Sequence, residues 1–221
     1  MKISINKLAE YNRSIKAARR RKILYNAKFP TPPYGNYYGL IRQSVLKYLI
    51  TGEKKHLESA RKKVEARPYT DKSDWKYKDI KTSLTALNAI ENVVTPPLPK
   101  GSYFVKEVDS KQRIMKDGIL VNGFPELLLY SKDNVLIGGL KLHYSKSPPL
   151  GAESLKDVGH LLEQYLQLSY GAEGVKRKYC YGLDVSTSKI EAPTAAFKSR
   201  EDDLKQSCAD IVSLWSSINP K

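Results

Sequence analysis

Apolar positions recur with helical spacing over the first hundred residues and with strand spacing after that. Ser4 is a natural N-cap for a helix running to about Asn26, with Leu8, Tyr11, Ile15, Ala18 and Ile23 as its stripe. Phe29-Pro30-Thr31-Pro32-Pro33 breaks it. A second helix is predicted from about Tyr37 to Thr51, ended by Gly52, and a third from Lys54 to about Ala66. A fourth covers about Lys76 to Val94, with Ile80, Leu84, Leu87 and Ile90 inward. Thr95-Pro96-Pro97-Leu98-Pro99 reads as a stiff linker, which places a boundary between a helical region, 1–95, and a second region, 96–221.

Beyond that linker the period shortens. Tyr103 to Val108 and Arg113 to Val121 have strand character, and Lys116-Asp117-Gly118 is a turn signal that divides the second of them. Phe124 to Tyr130 and Val135 to Tyr144 are near-continuous apolar runs around a Ser131–Asn134 turn, the pattern of strands covered on both faces. Ser154 is an expected N-cap for a helix through Leu168. Lys178 to Val185 is a further buried strand, Lys189 to Ala192 a short one, and Arg200 to Ser217 the last helix. This order predicts an α/β fold: a mixed central sheet flanked by helices, with a basic helical region at the N-terminus.

Two charges stand in the apolar strands, Glu126 near the start of one and Lys141 inside the next. Burying even an uncharged polar group without a partner costs roughly 2–7 kcal/mol, so these two are expected to pair or to bind a ligand. A proline and an acid opening one strand, with a lysine in the middle of the next, resembles the PD-(D/E)xK nuclease superfamily. Pro125-Glu126 stands for Pro-Asp, Lys141 for the lysine, and Gly139 occupies the position of the second acid; the likeness spans roughly Val105 to Ile190.

The resemblance implies a restriction-endonuclease-like core and metal-dependent hydrolysis of DNA, with Mg²⁺ or Mn²⁺ as cofactor. Glu126 would be a metal ligand, and Lys141 would assist attack on the phosphate. In several members of that superfamily the second acid comes from the helix after the lysine strand. Glu163 is the candidate here, as metal ligand and catalytic carboxylate, or else as a salt-bridged helix residue. Asp157, one turn earlier, and Glu10 on the first helix are weaker candidates, and Gln164 is a further contact that the resemblance suggests. His143 shares a face with Lys141, and Asp184 in the later strand is expected to receive a loop hydrogen bond.

Charge adds a partner. The net charge is +15, and residues 1–100 hold 22 Lys and Arg against 8 Asp and Glu, while residues 101–221 hold 16 against 15. A basic half joined to a neutral half is the electrostatic footprint of nucleic-acid binding, in this reading DNA. Arg19, Arg20, Arg21, Lys22, Lys62 and Lys63 are the expected phosphate contacts, with Lys146 beyond the lysine strand and Tyr37 as a stacking residue. No apolar run reaches the ~18 residues of a membrane span, and the N-terminus lacks the apolar core of a secretory signal. Cys180 and Cys208 form no CxxC pair, which argues against a zinc site or a disulfide framework. A cytoplasmic protein with reduced thiols is expected. No Walker loop, GxGxxG, GxSxG or HExxH occurs. Besides a nuclease, the sequence is compatible with an inactive nuclease fold that binds nucleic acid, or with an interaction component of a phage or mobile-element system.

Overall fold

The computed structural model describes residues 1–30, 37–93, 96–107, 113–144, 149–194 and 197–220. The chain is a mixed α/β protein with two mixed sheets and, among the described residues, seven helices. It begins with a three-residue strand, β1 (Lys2–Ser4), which leads directly into α1 (Ile5–Asn12). Ser4 caps this helix as predicted, its hydroxyl accepting from the Lys7 N–H at 3.3 Å. The single helix expected to run to Asn26 is instead two, α1 and α2 (Ala17–Lys28). Arg13 ends the first because its guanidinium is drawn to Asp157 and Asp203, and Arg20 then donates to the Ser14 carbonyl at 2.7 Å, fixing the break.

Helices α3 (Arg42–Thr51), α4 (Lys55–Glu65) and α5 (Trp75–Glu91) follow. Gly52 ends α3 in the left-handed conformation (φ 71°), which glycine adopts without a Cβ clash. Asp74 caps α5 by accepting from the Lys76 N–H at 2.9 Å. Strands β2 (Tyr103–Lys106), β3 (Ile114–Lys116), β4 (Ile119–Asn122), β5 (Leu127–Tyr130) and β6 (Leu136–His143) come next. Then follow α6 (Ala152–Tyr170), β7 (Cys180–Asp184), β8 (Lys189–Glu191) and α7 (Phe197–Leu214).

The predicted strands do not all join one sheet. A five-stranded sheet has the order β2-β5-β6-β7-β8, antiparallel except for the parallel β6–β7 pair that α6 connects. β3 and β4, separated by the Asp117-Gly118 turn, leave it and form a small sheet in which β4 pairs with β1 in parallel. Nothing in the local pattern of Lys2-Ile3-Ser4 announces a strand; the partner lies more than a hundred residues away.

Each face of the large sheet has its own core. On one side α1, α2, α6, α7 and the small sheet bury Leu8, Tyr11, Leu24, Val121, Leu161 and Ile211 against Leu128 and Cys180. On the other, α3, α4 and α5 bury Val45, Leu57, Leu87 and Ile90 against Leu129, Leu140, Leu142 and Leu183. Full burial of such a side chain contributes about 1.5–3 kcal/mol, so both cores are substantial. The helices before the proline-rich segment thus pack on both faces of the sheet that follows it. Both cysteines are buried, and burial raises both thiol pKa values, that of Cys208 to about 11. No helix among the described residues is long and apolar enough to cross a membrane.

Candidate functional site

Register places Glu126 and Lys141 side by side. Leu127 pairs with Leu140 and Leu128 with Gly139, so the residue before Leu127 lies opposite the residue after Leu140. Alternation turns both side chains toward the α1/α6 face. The Lys141 ammonium donates to Glu126 Oε1 at 3.0 Å and to the Phe124 carbonyl at 2.6 Å. The other carboxylate oxygen, Oε2, accepts the Leu142 N–H at 2.7 Å. The two charges therefore satisfy each other in a partly buried setting, with side chains 12% (Lys141) and 23% (Glu126) exposed.

Gly139, where the resemblance places a second acid, does not face an empty space. A Cβ there would lie 2.9 Å from the Leu127 carbonyl oxygen, 3.3 Å from Leu166 Cδ1 and 3.7 Å from Leu162 Cδ2. The leucines of α6 fill the gap. Glu163, next on the helix, turns to Arg177, whose Nε donates to its Oε2 at 2.9 Å. Glu126 and Glu163 are thus engaged by two different cations, and among the described residues no group of three His, Cys, Asp or Glu side chains stands ready to hold a metal ion.

Asp157 is fully buried and belongs to a clamp. It accepts from Asn12 at 2.7 Å, from Arg13 Nε at 2.7 Å and Nη2 at 3.0 Å, and from Arg200, itself buried. This carboxylate ties α6 to α1 and α7. Gln164 joins a second network, donating to Glu201 at 2.8 Å and accepting from Lys116 at 3.2 Å. His160 bonds the same Glu201 carboxylate at 2.8 Å. Burial works against ionisation of Glu201, but hydrogen bonds from His160, Lys116 and Gln164 outweigh it and hold the carboxyl at about 2. Asp184 does what the sequence suggested. It accepts loop hydrogen bonds from the N–H groups of Leu150, Ser186 and Thr187.

Toward the C-terminal end of β6 the surroundings are less fully satisfied. Among the described residues the buried His143 Nε2 has no hydrogen-bond partner, nor has Asn6 Oδ1, although Asn6 Nδ2 donates to the Leu142 carbonyl at 3.0 Å. Burial lowers the His143 pKa, while the carboxylates of Asp184 and Glu10 oppose the shift. Glu10 is itself paired with Arg19. An open cavity of about 590 Å³ lies nearby, lined by Glu10, Arg13, Lys16, Arg19 and the loop that enters α6.

The expected phosphate contacts fall on two surfaces. Arg19 and Arg20 on α2 are partly committed, Arg19 to Glu10 and Arg20 to Asp210 at 3.4 Å. Arg21 and Lys22 are exposed and line a cavity of about 720 Å³ with Tyr25 and Ile218. Lys62 and Lys63, in the last turn of α4, are also exposed, but α4 packs on the opposite face of the sheet. Tyr37 is half-buried, its ring 6.1 Å from that of Trp75. Lys146 lies outside the described residues. The sequence reading missed the aromatic residues around Trp75; the signal available was Tyr69, Trp75 and Tyr77 interleaved with Arg67, Lys72, Lys76 and Lys78.

No protein-family model, curated protein or solved structure matches this chain.

Proposed function

We propose that this protein binds nucleic acid through its basic helices, and that its core is a restriction-endonuclease-like scaffold whose site is closed to hydrolysis. The topology supports the scaffold: an antiparallel β2-β5-β6 arrangement, a helix, then β7 parallel to β6, with Glu126 and Lys141 adjacent on the middle strands. The observation that carries the closed site is at Gly139. A Cβ there would press on the Leu127 carbonyl oxygen and meet Leu166 and Leu162 of α6, and both oxygens of Glu126 accept from donors of the protein. The charge excess of residues 1–100 supports a polyanionic partner.

A second reading is metal-dependent hydrolysis of DNA, with Mg²⁺ or Mn²⁺ recruited only when substrate phosphate enters. One observation favours it: His143, whose Nε2 has no partner among the described residues, lies within the electrostatic reach of both Lys141 and Glu10. It requires Glu126 to be released from Lys141. End-labelled DNA and RNA incubated with the protein and either Mg²⁺ or Mn²⁺ separate the two readings. Retention without cleavage is expected. Cleavage that disappears in Lys141→Ala would establish the second reading in place of the first.

A further inference from the structure

The segment between α4 and α5 and the first turn of α5 carry exposed aromatic rings and cations. Tyr69 is 48% exposed and Trp75 38%. The Tyr69 ring lies 5.0 Å from that of Tyr77, inclined at 53°, and Tyr37 abuts Trp75. The Arg67 guanidinium sits 4.8 Å over the indole and is held there by Asp79, at 2.5 Å. Asp79 is itself buried and also accepts the Tyr38 N–H at 2.8 Å. The indole is therefore braced by an arginine that cannot easily leave.

The turn itself is fixed. Asp71 accepts the Ser73 N–H at 2.6 Å, and Asp74 accepts from Thr70 at 3.2 Å and Lys76 at 2.9 Å. The Ser73 hydroxyl, which donates to Asp71 at 2.5 Å, and then the Ser73 N–H lower the Asp71 carboxyl pKa, and the N–H groups of Lys76 and Thr70 lower that of Asp74. The acids of the turn hold its backbone in place and stay ionised, while Lys72 and Lys78 are exposed on the same segment, and Lys62 and Lys63 stand exposed one turn before it. Rings held in place before a ligand arrives lose little entropy on binding.

We propose that this surface binds an unpaired stretch of nucleic acid. Bases stack on Trp75 and Tyr69, and the backbone phosphates run along Lys62, Lys63, Lys72 and Lys78. Unpaired strands are specified because a duplex keeps its base faces covered, offering these rings nothing to stack on, whereas every unstacked base has a free face. The inference rests on the nucleic-acid reading above and sharpens it to single strands.

The test is fluorescence anisotropy of the full chain with a labelled oligothymidylate and with a duplex of equal length, at one salt concentration. Wild type is expected to bind the oligothymidylate more tightly. Trp75→Ala should weaken that binding about ten-fold, the loss of one stacked base, and leave duplex binding unchanged. Because Trp75 also packs under Arg67, Tyr69→Ala supplies the same readout on a more exposed ring. If both variants bind the oligothymidylate as wild type does, or weaken both ligands equally, the stacking surface is refuted and the nucleic-acid reading stands. If wild type binds neither ligand, both are refuted.

Discussion

The two faces of the five-stranded sheet are built differently. The face covered by α3, α4 and α5 is almost wholly apolar, and Asp79 is the one buried carboxylate on these three helices among the described residues. The face covered by α1, α6 and α7 is crossed by charge: Asp157 with Arg13 and Arg200, Glu201 with Lys116 and His160, Glu163 with Arg177, and Glu126 with Lys141. On the first face the hydrophobic effect does the holding and tolerates substitution by volume. On the second, orientation depends on paired charges, which are costly to break and specify which helix meets which. Acids of this face at positions that suggest chemistry in the sequence are engaged in ion pairs between elements, and Asp157 and Glu163 are two such cases.

Four substitutions or conditions sharpen this contrast. The largest effect is expected from Asp157→Ala, which strands Arg13 and the buried Arg200. Removing one partner of a buried pair costs about 3–5 kcal/mol, so the urea midpoint should fall sharply, whereas a Leu-to-Met exchange on the apolar face, such as Leu87→Met, should cost under about 1.5 kcal/mol. Gly139→Asp, which restores the acid of the resembled pattern, must displace Leu166 or shift β5, and should destabilise by about 1–3 kcal/mol. A stable Gly139→Asp protein would show that the leucines do not close the site.

Glu126→Ala leaves Lys141, among the described residues, with the Phe124 carbonyl alone and frees the Leu142 N–H. A loss of about 1–3 kcal/mol in denaturant unfolding, with nucleic-acid affinity unchanged, is the expected result. A further effect is on acid stability. The Glu201 carboxyl titrates at about 2 in the fold, against 4.5 ordinarily, so its contribution is complete above about pH 4.5 and fades as pH falls toward 2. Thermal melts of Glu201→Gln should therefore lose less between those pH values than melts of wild type.

This division also explains what the sequence made legible. The rows Val45, Leu46 and Leu49 of α3 and Leu87 and Ile90 of α5 face an apolar surface, so periodicity alone located them, as it did β5, β6 and α6. The break between α1 and α2 was invisible because it depends on Arg13 reaching Asp157, 144 positions away. The small sheet was hidden for the same reason, since β1 finds its partner in β4. At the candidate site the pairing of Glu126 with Lys141 was readable, because two charges in adjacent apolar strands have few other ways to be satisfied. The fate of Glu163 was not: whether it faced Gly139 or Arg177 depends on how α6 is rotated, and in the fold Leu162 and Leu166 face Gly139 while Glu163 meets Arg177.

The central claim is that the exposed cations of α2 and of the α4–α5 surface hold a polyanion. Binding of labelled DNA over a series of salt concentrations tests it most directly, with wild type beside Lys62→Ala/Lys63→Ala. Those two side chains are exposed, so stability should change by less than about 0.5 kcal/mol. The account predicts that log Kobs falls linearly with log salt, and that the slope is shallower by roughly two phosphate contacts in the double variant. Absence of binding, or binding indifferent to salt, would contradict it.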